Sequence, residues 1–81
     1  MLKEVEMIAS FDTEGTLRPH RLRLVSEDES LVVIKVVGIL YEDINIAYKT
    51  IRYRCECVIQ NKVRTVDLYY YIEKMMWYLD L

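Results

Sequence analysis

The side chains best suited to binding in this chain are arginines and tyrosines between residues 52 and 78. The strands predicted below place them on one outward sheet face in two rows. These rows are Arg54–Tyr69–Tyr78 and Arg52–Tyr71–Met76. Guanidinium groups attract the faces of phenol rings through cation–π contacts. Because Tyr, Met and Arg are enriched at the centres of protein interfaces, the face is suited to anchoring a protein partner.

Single-stranded nucleic acid is an alternative ligand for the same face, since bases stack on aromatic side chains. The cations available for its phosphates are Arg52, Arg54, Lys62 and Arg64. A net charge of −2 argues against strong binding, because affinity that is independent of sequence comes from neutralising many phosphates. A third interpretation is that arginine stems and tyrosine rings cover each other on a solvated sheet.

Three carboxylates, Glu56, Asp67 and Asp80, form a further predicted row. Adjacent like charges repel by about 0.5 kcal/mol per exposed pair, and hard cations such as Ca²⁺ accept carboxylate oxygens. The row therefore holds a weak ion or is relieved by lysines and solvent, and we expect the second. The sequence offers neither a nucleophile nor an oxyanion loop beside these acids. We accordingly expect a non-catalytic protein without a metal or cofactor.

Cys55 and Cys57 are two residues apart in a predicted strand. Their side chains then share a face at roughly 7 Å, which exceeds the Cβ separation of about 4 Å in a disulfide. We expect two buried, inert thiols and a reducing, cytoplasmic compartment. The single histidine, His20, is expected at the rim of the core near Met7.

Length and composition predict one small domain spanning residues 1–81. The chain is 53% apolar with only two glycines and one proline. It contains no repeat, linker or low-complexity tract. No apolar run approaches the ~18 residues of a membrane span, so no membrane partner is expected.

Alternating apolar and polar residues predict antiparallel strands in the second half of the chain. A turn at Asn61-Lys62 pairs residues whose numbers sum to 123, and a turn at Glu73-Lys74 pairs residues that sum to 147. Both registers give one continuous apolar face containing Tyr53 and Tyr70. A helix over residues 66–81 is the main alternative, but its polar residues would form no broad face.

The first half follows a similar pattern. A turn at residues 12–15 would set Glu6 against Arg21 and Glu4 against Arg23, which neutralises both arginines.

A second turn at residues 26–30 would set Leu24 against Val32 and Leu22 against Ile34. Residues 31–37 form the most buried strand predicted, and residues 41–47 form the longest connection, with room for a helical turn. The expected fold is an all-β antiparallel meander of five to six strands, rolled into a barrel or a strongly twisted sheet.

Several short motifs carry a resemblance to a known group of proteins. They are Phe11-Asp12 with Gly15 and Pro19, Val33-Ile34-Lys35-Val36, Tyr53-Arg54-Cys55, Leu68-Tyr69-Tyr70 and Trp77-Tyr78-Leu79. Through them the chain resembles short, β-rich bacterial proteins of uncharacterised function, mostly from Firmicutes. Some of these are similar to small domains associated with DNA-polymerase-type proteins. The resemblance implies an antiparallel β fold and supplies no catalytic residue.

The function expected from the sequence is therefore a non-catalytic protein-interaction module. It would self-associate through an edge strand or through the Arg/Tyr face. The alternative is a weak single-stranded nucleic-acid-binding domain that uses the same face.

Overall fold

A computed structural model describes residues 1–80 as six antiparallel strands closed into a barrel. Each strand pairs with its neighbours in the chain, and β1 also pairs with β6. The strands are β1 (Leu2–Phe11), β2 (Leu17–Val25), β3 (Leu31–Asn45), β4 (Thr50–Ile59), β5 (Lys62–Tyr71) and β6 (Met76–Asp80). The all-β meander is confirmed, and the sheet closes. Within residues 1–80 no helix is long and apolar enough to cross a membrane.

The barrel interior is filled by the apolar members of the alternating strands. Fully or nearly buried side chains are Leu17, Leu22, Leu24, Ile34, Tyr53, Cys55, Cys57, Val66, Leu68, Trp77 and Leu79. The Trp77 ring lies 5.6 Å from that of Tyr53 and 5.0 Å from that of Tyr70. The Tyr53 hydroxyl donates to the Leu17 carbonyl at 2.7 Å. This bond satisfies the one polar atom of a large buried ring.

Two predicted registers are confirmed. Strands β5 and β6 pair residues that sum to 147, as in Tyr69↔Tyr78. Strands β2 and β3 pair Leu22 with Ile34 and Leu24 with Val32. In both cases a compact turn connects two strands with clear apolar alternation, and burial of that face specifies the pairing.

The predicted register between β4 and β5 is wrong by two residues. The turn is formed by Gln60 and Asn61, whose φ angles are 50° and 65°, as a two-residue type I′ hairpin requires. An even shift leaves each side chain on its predicted face and changes only its partner. Arg54 thereby lies opposite Asp67 instead of Tyr69, and Arg52 lies opposite Tyr69.

The predicted register between β1 and β2 is also wrong. Glu6 pairs with Arg23, and Arg21 lies opposite Ile8. A bulge between Ile8 and Ala9, opposite Pro19, shifts the ladder. Proline has no N–H to donate, so it favours such an interruption.

Glu4 lies opposite Tyr78 of β6 and does not pair with Arg23 as predicted. The turn before β2 is itself confirmed. Asp12 accepts bonds from the backbone N–H groups of Glu14 and Thr16, both at 2.9 Å.

The predicted connection over residues 41–47 is wrong, because β3 continues to Asn45. Two irregularities, between Val36 and Gly38 and between Ile39 and Tyr41, interrupt the period-two alternation that would have revealed the strand. A straight strand of this length would span about 46 Å at ~3.3 Å per residue. The longest dimension of the molecule is only 35 Å, so β3 bends, as bulged strands do.

Candidate functional site

All six residues of the predicted site lie on the outer side of β4, β5 and β6. We call this set the Arg/Tyr face: Arg52, Arg54, Tyr69, Tyr71, Met76 and Tyr78. The structure groups them differently from the prediction. One row runs Arg52–Tyr69–Tyr78, and the next contains Tyr71 and Met76. Arg54 lies in a separate row with Asp67 and Asp80.

Arg54 is committed to a bidentate contact with Asp67. Its Nε donates to Oδ1 at 2.8 Å and its Nη2 to Oδ2 at 3.1 Å. These bonds lower the pKa of Asp67 and raise the pKa of Arg54. Because both guanidinium edges used here are occupied, Arg54 is poorly placed to contact a phosphate.

Arg52 and Arg54 both lie beside Tyr41, which the sequence left unassigned. Each guanidinium carbon is 5.4 Å from the centre of the Tyr41 ring, and Nη2 of Arg52 donates to the Tyr41 hydroxyl at 2.8 Å. The Tyr41 phenol and a hydrogen bond to Tyr69 raise the pKa of Arg52. The two arginines therefore clamp the β3–β4 hairpin onto β5. Only the corrected path of β3 brings Tyr41 here.

The tyrosines of the Arg/Tyr face cover each other. The rings of Tyr71 and Tyr78 meet edge to face at 5.0 Å. The Tyr78 hydroxyl lies 4.0 Å from the Met76 sulfur, and the Lys74 ammonium lies 5.4 Å from the centre of the Tyr71 ring. All three aromatic and thioether side chains are half-buried although they point outward. These contacts are those expected of a self-covering sheet surface.

Acidic groups surround the face. Glu4 and Asp43 end the row that contains Arg52, and Asp80 accepts a 3.0 Å bond from the N-terminal ammonium. The predicted acidic row is not formed, because Glu56 lies opposite Thr65. Within residues 1–80 no group of three His, Cys, Asp or Glu side chains is placed to hold a metal ion. The surface is thus locally acidic, which disfavours phosphates.

Both cysteines are fully buried, as predicted. Burial raises the pKa of Cys55 to about 12 and that of Cys57 to about 11. Both remain protonated thiols at neutral pH, and a protonated, buried thiol is a poor nucleophile. His20 is not at the core rim as predicted: it is exposed, with Nε2 at 2.6 Å from Ser10 Oγ.

A second surface lies at the end of the barrel where β3 and β5 finish. Two four-residue turns, 46–49 and 72–75, meet there through a 3.0 Å bond from Ile72 N to Lys49 O and a 3.4 Å ion pair from Lys49 to Glu73. We call this surface the apolar tip. Its exposed apolar side chains are Ile44 (58%), Ile46 (85%), Tyr48 (77%), Ile72 (43%) and Met75 (77%). The sequence signal was the placement of Ile and Met in turns, where polar residues are usual.

Comparison of the chain with protein-family profiles, with curated proteins and with solved structures finds no match. The residues of the molecule therefore have to carry the functional argument themselves.

Proposed function

We propose that this protein is a small, non-catalytic interaction module that associates with a second copy of itself through the apolar tip. The observation that carries the proposal is the exposure of Ile46, Tyr48 and Met75, each more than three-quarters accessible, in two turns that are tied together. Clustered apolar side chains of this size favour association, because water is released when they are covered.

A second copy is a suitable occupant because the tip carries both signs of charge side by side. Glu73 and Lys74 are adjacent in one turn, and Lys49 lies in the other. A two-fold interface requires a surface that complements itself. Rotating one tip onto another allows Lys74 of each copy to approach Glu73 of its partner while the apolar side chains meet. Five side chains make a small interface, so the dimer should be weak.

Edge-strand pairing supports self-association less well. Beyond its pair with Arg21, Lys35 begins a stretch of β3 that pairs only with β4. That edge carries two bulges and the charge of Glu42, which lies opposite the inward-facing Tyr53. Bulges and inward-pointing charges are devices by which natural sheets block edge pairing.

Nucleic-acid binding through the Arg/Tyr face is the weaker alternative. Arg54 is held by Asp67, Arg52 is bonded to Tyr41, and Asp43 adjoins Arg52. The rings are packed on each other and are not free to receive bases. The Arg/Tyr face acts instead as the clamp that holds the hairpin, and hence the tip, against β5.

Sedimentation equilibrium over a range of protein concentrations tests the proposal. We expect the wild-type protein to show reversible dimerisation. The double variant Ile46→Asn/Met75→Gln should shift the dimerisation constant by about tenfold or more, since each truncated contact at an interface contributes on the order of 1 kcal/mol.

Leu31→Asn is the matched control. Leu31 is 58% exposed at the opposite end of β3, so its substitution removes the same type of surface outside the tip. A wild-type protein that stays monomeric at all concentrations would contradict the proposal. So would a control variant that weakens association as much as the tip variant.

A further inference from the structure

Strand β2 carries an excess of positive charge on its outer side. Its basic residues are Arg18, His20, Arg21 and Arg23, and it contains no acid. Arg18 approaches Asp12 at 3.7 Å, and Arg23 is paired with Glu6. Arg21 is different: its cross-strand partner on β3 is Lys35.

Arg21 and Lys35 are two like charges placed directly opposite each other. Side chains in such positions have Cβ atoms only about 5 Å apart and destabilise a sheet when they carry the same charge. Both are exposed. In the part of the chain that the structure describes, neither has an ion-pair partner. The register that gives Glu6 to Arg23 is what leaves Arg21 without an acid.

The two cations form the centre of a row that crosses five strands. Its members are Ile8, Arg21, Lys35, Val58 and Val63. Ile8 and Val63 are each 63% exposed. Val33, one step along β3, is 52% exposed. A groove of about 470 Å³ runs beside the row between Ile8, Arg21 and Val33.

We propose that this row is a docking site for an acidic segment of a partner protein, in which two carboxylates are flanked by apolar side chains. The carboxylates would relieve the Arg21–Lys35 repulsion, and the apolar side chains would cover Ile8, Val33 and Val63. The row contains no aromatic side chain on which a base would stack. Its flanking residues therefore suit a peptide better than a nucleic acid. The site is separate from the apolar tip and does not depend on self-association.

Fluorescence anisotropy with three labelled probes tests the site on the full chain. The probes are a short peptide of alternating Glu and Leu, the matching Lys/Leu peptide, and oligothymidylate of the same formal charge as the Glu/Leu peptide. We expect the Glu/Leu peptide to bind in preference to the other two. Arg21→Gln and Lys35→Gln should each weaken it about two- to fivefold, as exposed charge pairs allow.

Lys74→Gln removes the same charge at the far end of the molecule and should leave binding of the Glu/Leu peptide within about 1.5-fold of wild type. Circular dichroism of each variant establishes that the barrel remains folded. Tighter binding of oligothymidylate would overturn the peptide assignment in favour of a phosphate ligand. Absence of binding by the Glu/Leu peptide, or equal weakening by Lys74→Gln, would overturn the site itself.

Discussion

Arg54 and Asp67 face each other across β4 and β5 and are joined by two hydrogen bonds of 2.8 and 3.1 Å. In the register displaced by two residues, Asp67 would lie opposite Glu56, another acid. The observed register replaces that repulsion with an ion pair while keeping the same apolar face inside. Charge complementarity between these strands thus selects the register, and it also removes Arg54 from the set of free cations.

A double-mutant cycle on Arg54→Ala and Asp67→Ala should give a coupling energy of about 0.5–1 kcal/mol in urea denaturation, because the pair is bidentate and Asp67 is mostly covered. Glu6 and Arg23 form the matched control. Both are more than half exposed, so their cycle should give a smaller coupling. A coupling near zero for Arg54–Asp67, or one below the control, would contradict the role assigned to this pair.

Tyr53→Phe should lower the free energy of unfolding by about 1–2 kcal/mol, since it leaves the Leu17 carbonyl without its donor inside the barrel. Urea denaturation followed by tryptophan fluorescence measures the change, because Trp77 packs beside Tyr53. Tyr48→Phe removes the same atom from a ring that is 77% exposed. It should change stability by less than about 0.5 kcal/mol. Equal effects of the two variants would count against the buried bond.

Asp28 should contribute to acid sensitivity. Hydrogen bonds from the hydroxyls of Ser26 and Ser30, together with the backbone N–H of Ser30, lower the pKa of Asp28 to about 2 from its usual 3.8. Because the folded-state pKa is the lower one, this carboxylate stabilises the barrel above pH 3.8, and the contribution is lost as the pH falls towards 2. Urea midpoints of wild type and Asp28→Ala should therefore converge over that interval. A difference that stays constant with pH would exclude this linkage.

Lys35→Glu should stabilise the unliganded protein by about 0.5 kcal/mol, since it replaces a like-charged cross-strand pair with an opposite one. Thermal unfolding at low ionic strength measures the gain, which high salt should reduce by screening. Lys35→Gln, which only removes the repulsion, should give a smaller gain. The same Lys35→Glu variant should bind the Glu/Leu peptide more weakly. A loss of stability in both variants would show that Arg21 and Lys35 do not repel each other.

The most predictable parts of this protein are those where one face of a strand is apolar and the turn is short. Alternation placed Tyr53, Cys55 and Leu68 inside, and the β5–β6 and β2–β3 registers followed from it. All six candidate binding residues were assigned to the correct face, since an even error in register does not turn a side chain over. Their partners were not predictable, because partners depend on the position of the turn.

Irregular backbone accounts for the remaining differences. The bulges in β3 conceal the strand over residues 41–45, because each extra residue reverses the alternation on which strand prediction depends. Pro19 and the adjacent bulge shift the β1–β2 register in the same way. No local pattern could have shown that Tyr41 lies between Arg52 and Arg54, or that Arg21 meets Lys35.

The amino-acid sequence by itself determined the all-β class, the inward and outward faces of the strands and the burial of both cysteines. These properties depend on the type and periodicity of residues along one strand. Only the tertiary structure decided barrel closure, the exchange of partners between Arg54, Asp67 and Tyr69, the apolar tip and the uncompensated pair of cations. These depend on distances between strands, which side-chain charge, bulges and turn geometry settle together once the chain has folded.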